Sequence, residues 1–94
     1  MRDAKRLEAI RKLPCVRCGW DAPSEAAHSN FSEHGKGRGI KADDQFTIPL
    51  CRLCHAWFDG YVYLTREQSK EWFAAMLEKT ERMLKIDTNS DSVF

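Results

Sequence analysis

Two C-x-x-C pairs, Cys15/Cys18 and Cys51/Cys54, constrain this chain more than any other feature. A protein of 94 residues buries limited apolar surface, and a metal clip between two distant segments is a natural supplement to a small core. Zinc favours four sulfur ligands in a closed tetrahedral site, and two such pairs supply them. Two disulfides or four free thiols are the competing readings. About 32 residues separate Cys18 from Cys51, against roughly 15–20 in an ordinary zinc ribbon. The excess fits a hairpin with a long tip, inserted between the two pairs.

Composition bears on where such a site belongs. Charged residues make up 31% and hydrophobic residues 43%, as in an ordinary globular domain. No apolar run approaches the roughly 20 residues that span a bilayer. The start, Met-Arg-Asp-Ala-Lys-Arg-Leu-Glu, is charged and amphipathic and lacks the apolar core of a secretory signal. The expectation is a single cytoplasmic domain over 1–94, where paired cysteines hold metal more often than they form disulfides. Net charge is only +1, so the whole molecule does not announce a nucleic-acid partner. Residues 34–41, His-Gly-Lys-Gly-Arg-Gly-Ile-Lys, are nevertheless locally basic. Such a loop either touches phosphates or is simply solvated.

Taken in order, residues 2–13 read as a helix with Leu7, Ile10 and Leu13 on one face, ended by Pro14. Gly19 allows a tight turn around the first cysteine pair. Residues 25–31 and 46–50 read as two short strands, with Pro49 restricting the second to an edge or to its last residues. Between them, 32–41 hold three of the five glycines and read as a long loop. A short helix is expected over 54–61, stopped by Gly60. Thr65-Arg-Glu-Gln68 is a capping-box pattern that opens the longest helix, about 66–86. Phe73, Met76, Leu77, Met83 and Leu84, widened by Trp72, give that helix an apolar stripe. Packing on the first helix or on the cysteine core is the main expectation for the stripe, with a homodimer face as the minority one. Residues 87–94 read as a mobile polar end.

Three histidines could carry chemistry. His34 sits in the glycine loop and reads as a surface residue. His55 adjoins a cysteine, with Asp59 one helical turn later, so the two share a face and could hold an ion. His55 could also replace a cysteine on the zinc. His28, in Glu-Ala-Ala-His-Ser-Asn, ends the first strand, where a neutral imidazole could take a proton from water.

The ordered set Ala27-His28-Ser29-Asn30, then Gly35-Lys-Gly-Arg-Gly-Ile-Lys-Ala-Asp-Asp44, then Leu50-Cys-Arg-Leu-Cys-His55 with Asp59 resembles the HNH nuclease superfamily. It is most similar to small phage and prophage members. The resemblance covers about Cys15 to Asp59 and leaves out the terminal helices. It implies an α+β fold: a ββα-metal, treble-clef-like finger over about 15–61, braced by a structural zinc on Cys15, Cys18, Cys51 and Cys54 and flanked by N- and C-terminal helices. It implies hydrolysis of DNA phosphodiester bonds with His28 as general base and Asp44, or its neighbour Asp43, steadying loop and base. His55 and Asp59 would hold a catalytic magnesium or manganese ion. Lys36, Arg38 and Lys41 would hold phosphates, with Gly35, Gly37 and Gly39 letting the backbone approach. The implied partners are DNA and, further off, a recombination protein in a bacterial host. One departure stands out: many relatives carry a metal ligand just before the base, where this chain has Ala27, so His28 could itself be a ligand. A non-catalytic zinc module that binds nucleic acid is therefore the rival reading. A zinc finger for protein contacts would leave the basic loop unexplained.

Overall fold

The computed structural model describes residues 3–31, 43–60 and 64–92, with side chains in the last segment described to residue 85. The glycine loop with His34, Lys36, Arg38 and Lys41 lies outside the described residues, as does most of the link after Gly60. The elements run α1 (Ala4–Arg11), β1 (Glu25–His28), β2 (Thr47–Leu50), α2 (Arg52–Gly60) and α3 (Arg66–Ser92). This is a small α+β arrangement of one two-stranded antiparallel sheet and three helices. Among the described residues no helix is long and apolar enough to cross a membrane.

α1 is shorter than the periodicity of 2–13 suggests, because both ends are capped early. Asp3 is its N-cap and accepts from the Arg6 amide at 3.0 Å. At the other end Ser24 returns to the helix: its amide donates to the Arg11 carbonyl and its hydroxyl to that of Leu13. These bonds satisfy carbonyls that the helix leaves without partners. Ile10 and Leu13 point inward and are buried.

The hairpin pairs Glu25 with Leu50, Ala26 with Pro49, Ala27 with Ile48 and His28 with Thr47. The first strand stops at His28 rather than residue 31, although the Ser29 amide still reaches the Phe46 carbonyl at 2.9 Å. Pro49 sits inside β2 without cost to the ladder. Its carbonyl accepts from the Val16 amide at 2.9 Å, so it faces away from β1, and the amide hydrogen it lacks would have faced the same way.

The core joins Cys15, Val16, Ala27, Ile48, Leu50 and Cys54 to an aromatic group of Phe31, Phe58 and Phe73. Phe31 meets Phe58 and Phe73 edge-on, at centroid distances of 6.4 and 6.0 Å, while Phe58 and Phe73 stack at 5.4 Å. Such pairs contribute about 0.5–1.5 kcal/mol each beyond simple burial. Trp72, Met76, Leu77 and Met83 of α3 pack around this cluster, so the apolar stripe is used inside the chain. α3 opens on the expected reciprocal cap: the Gln68 amide donates to Thr65 Oγ1 and the Thr65 amide to Gln68 Oε1. It runs past residue 86 to Ser92, since no glycine or proline follows Thr65 to break it. Arg6 ties the layers together, donating to the Thr47 side chain and carbonyl while pairing with Glu81 at 2.7 Å.

Candidate metal centre and histidine cleft

α2 begins at Arg52, two residues before the expected start, and the His55 amide closes its first turn on the Cys51 carbonyl at 2.8 Å. The second cysteine pair therefore straddles the helix start. The first pair forms a tight turn in which the Gly19 amide reaches the Cys15 carbonyl at 2.9 Å, with Gly19 at φ +82°. Hydrogen bonds Cys15 N–H to Trp20 and Val16 N–H to Pro49 then seat this turn beside β2.

The four sulfurs of Cys15, Cys18, Cys51 and Cys54 lie within 4.8 Å of one another, and none forms a disulfide. Cys18 Sγ and Cys51 Sγ are 3.7 Å apart. Sulfurs about 2.3 Å from a tetrahedral zinc are about 3.8 Å from each other, so the cysteines are positioned to bind one metal ion in a way consistent with structural zinc. Their acidities diverge. Burial pushes the Cys15 thiol up, but the amides of Cys51, Cys18 and Arg17 outweigh it and bring it to about 6. Burial lifts Cys54 to about 12, against the pull of Arg17, whose Nη1 donates to its sulfur at 3.4 Å. One thiol ionises readily and another resists, and a bound cation is what would ionise both. Arg17 also lies over the Trp57 ring at 3.9 Å, which holds it beside the sulfur.

On another side of α2 lies an open cleft of about 320 Å³, lined by Leu7 and Arg11 of α1, His28 and Asn30 at the end of β1, and His55 and Asp59 of α2. His28 Nε2–H donates to Asp44 Oδ1 at 2.8 Å, because a carboxylate can only accept. Asp44 is almost wholly buried, and its other oxygen accepts from the Asp3 amide at 2.7 Å. The turn that carries it is pinned by Thr47 Oγ1 donating to the Asp44 carbonyl. His55 Nδ1 bonds Glu25 Oε1 at 2.7 Å, and its Nε2 lies 3.4 Å from Asp59 Oδ2. Asn30 Nδ2 donates to Asp59 Oδ1 at 3.1 Å.

Of the residues singled out in the sequence, His28, His55 and Asp59 thus line one cleft, and Asp44 bonds the His28 ring from behind it. His55 turns toward Glu25 and Asp59 and does not join the sulfurs. Ala27 is fully buried in the core, so position 27 offers the cleft nothing. Glu25, Asn30 and Arg11 join the site unannounced. Glu25 and Asn30 flank His28 in the same short stretch, a proximity that hints at them, whereas nothing in the sequence points to Arg11.

Fold and site together define a small α+β protein with a cluster of four cysteines positioned to bind a metal ion, beside a polar histidine cleft. A family described as "Protein of unknown function (DUF968)" matches residues 1–63, and the chain belongs to it. The match includes α1, which places Leu7 and Arg11 at the cleft. No curated protein and no solved structure matches the chain.

Proposed function

We propose that the protein is a metal-dependent HNH endonuclease that hydrolyses DNA phosphodiester bonds, with zinc on its four cysteines. The observation that carries this reading is the convergence of His28, His55 and Asp59 on one cleft, with His28 gripped from behind by buried Asp44. A hairpin leading directly into a helix, with a histidine at the end of the first strand and another in the helix, supports a ββα-metal finger.

Each residue has a task that follows from its contacts. Asp44 takes the Nε2 hydrogen of His28, which leaves Nδ1 as the nitrogen that removes a proton from water. His55 Nε2 and Asp59 Oδ2 would hold a magnesium or manganese ion. Their 3.4 Å separation suits neighbouring ligands, each about 2.0–2.2 Å from one ion. When bound, that ion supplies positive charge to the phosphate and the leaving 3′ oxygen. Asn30 fixes the second oxygen of Asp59. Arg11 lines the same cleft, and its guanidinium would suit a phosphate there. Lys36, Arg38 and Lys41 would add phosphate contacts from the basic loop.

Buried Ala27 favours the second reading, a non-catalytic nucleic-acid-binding module, because it leaves the ion with few protein ligands. Plasmid digestion across a manganese titration separates the two. His28→Ala should cleave roughly 100- to 10,000-fold more slowly at every metal concentration, since only the proton acceptor is lost. Asp59→Ala should regain part of its activity at high manganese. Equal rescue of both variants would make His28 a ligand instead of the base. Wild-type protein that binds DNA but never cuts it would leave the binding module standing.

A further inference from the structure

The His55 ring stands between two carboxylates, one at each nitrogen, and the two contacts differ in kind. Glu25 Oε1 is 2.7 Å from Nδ1, the length of a short charge-assisted hydrogen bond. Asp59 Oδ2 is 3.4 Å from Nε2, longer than such a bond. A neutral imidazole has one ring hydrogen, and the Glu25 contact places it on Nδ1. The Nε2 lone pair is then left on the Asp59 side, where a cation could take it.

The placement of Glu25 is built into the fold. It opens β1 and pairs with Leu50, the residue just ahead of the Cys51–Cys54 turn that starts α2. Hairpin register and the cysteine cluster therefore fix both partners of the contact. His28 carries the same device on its own ring, with Asp44 on one nitrogen. Yet the Glu25–His55 pair is partly exposed, at 51% and 27%, and an ion pair that wet adds little to folding stability. Its consequence lies in the orientation and tautomer of the ring.

We propose that Glu25 is a positioning residue: it holds His55 as the Nδ1–H tautomer and so presents Nε2, together with Asp59, to a divalent cation. The inference rests on the metal-site reading above. Glu25 is not itself a ligand of that ion, because the ring nitrogens face different sides and Glu25 occupies the other one.

The test uses the full-length, zinc-loaded chain with Glu25→Gln and Glu25→Leu. Glutamine keeps an acceptor oxygen for the Nδ1 hydrogen, and leucine removes it. Long-range proton–nitrogen NMR at mildly alkaline pH reads the tautomer, with His55→Ala assigning the signals. Calorimetry with manganese alone reads the affinity. Wild type and Glu25→Gln should show the Nδ1–H form and bind manganese within about threefold of each other, whereas Glu25→Leu should lose that form and bind about 10- to 100-fold more weakly. An unchanged tautomer in Glu25→Leu overturns the inference. So does a loss in Glu25→Gln as large as in Glu25→Leu, which would make Glu25 a ligand. Manganese-dependent cleavage with undiminished affinity in Glu25→Leu overturns the inference alone. A wild-type protein that binds no manganese overturns it together with the metal-site reading.

Discussion

The cysteine cluster and the histidine cleft share α2 but are put together in opposite ways. The cluster takes two close pairs, each within a tight turn, and gathers their sulfurs at the edge of the core, with Cys15 and Cys54 buried, Cys51 half-buried and Cys18 exposed. The cleft draws single side chains from α1, from β1 and the residues just after it, and from α2, around an opening to solvent, with buried Asp44 behind His28. The first arrangement offers four sulfurs to one ion, the ligand set of a structural site that stabilises a fold. The second sets polar side chains around an open cleft, where the proposed reaction would need them. Cys54 and His55 are consecutive, and a helix turns each residue about 100° from the last, so neighbours serve different sides.

Damage to the two regions should therefore have different readouts. The largest effect belongs to the cluster. Cys51→Ser, or stripping metal with a strong chelator, should leave a largely unfolded chain by circular dichroism, since structural zinc carries on the order of 10 kcal/mol in peptide models. A cooperative melt that survives both treatments would mean that the core holds without the ion. Next comes Asp44→Asn, which should keep zinc content and helicity but slow cleavage roughly 100- to 10,000-fold, because the amide no longer enforces the Nε2–H form of His28. Cleavage near the wild-type rate would show that the base needs no orienting carboxylate. The smallest effect is expected from Arg11→Ala. Removing one phosphate contact should reduce the log–log salt slope of DNA binding by about 0.9, equally on unrelated sequences. An unchanged slope in a fluorescence-anisotropy titration would place the phosphates away from α1.

How far the sequence foretold each region follows from the same contrast. The cysteine pairs and the Thr65–Gln68 cap are encoded by local spacing, and both emerge as expected. His55 and Asp59 were legible together because one helical turn separates them. Asp44 was legible only through a resemblance, since it lies 16 positions on from His28, beyond the glycine loop. Glu25 meets His55 across 30 positions, and Arg11 meets the cleft by the docking of α1 on both strands. No periodicity carries that information, because it resides in how elements pack. The shorter α1 has a similar origin: Ser24, far along the chain, takes up its last carbonyls.

The adjacency of Cys54 and His55 also limits how this segment can change length. One residue inserted between them would swing His55 and Asp59 by about 100° around α2, away from Glu25 and Asn30 respectively, while the sulfurs stayed where they are. From Cys51 to Asp59 the chain is therefore a segment of fixed length, which cannot be padded without parting the cysteine cluster from the cleft.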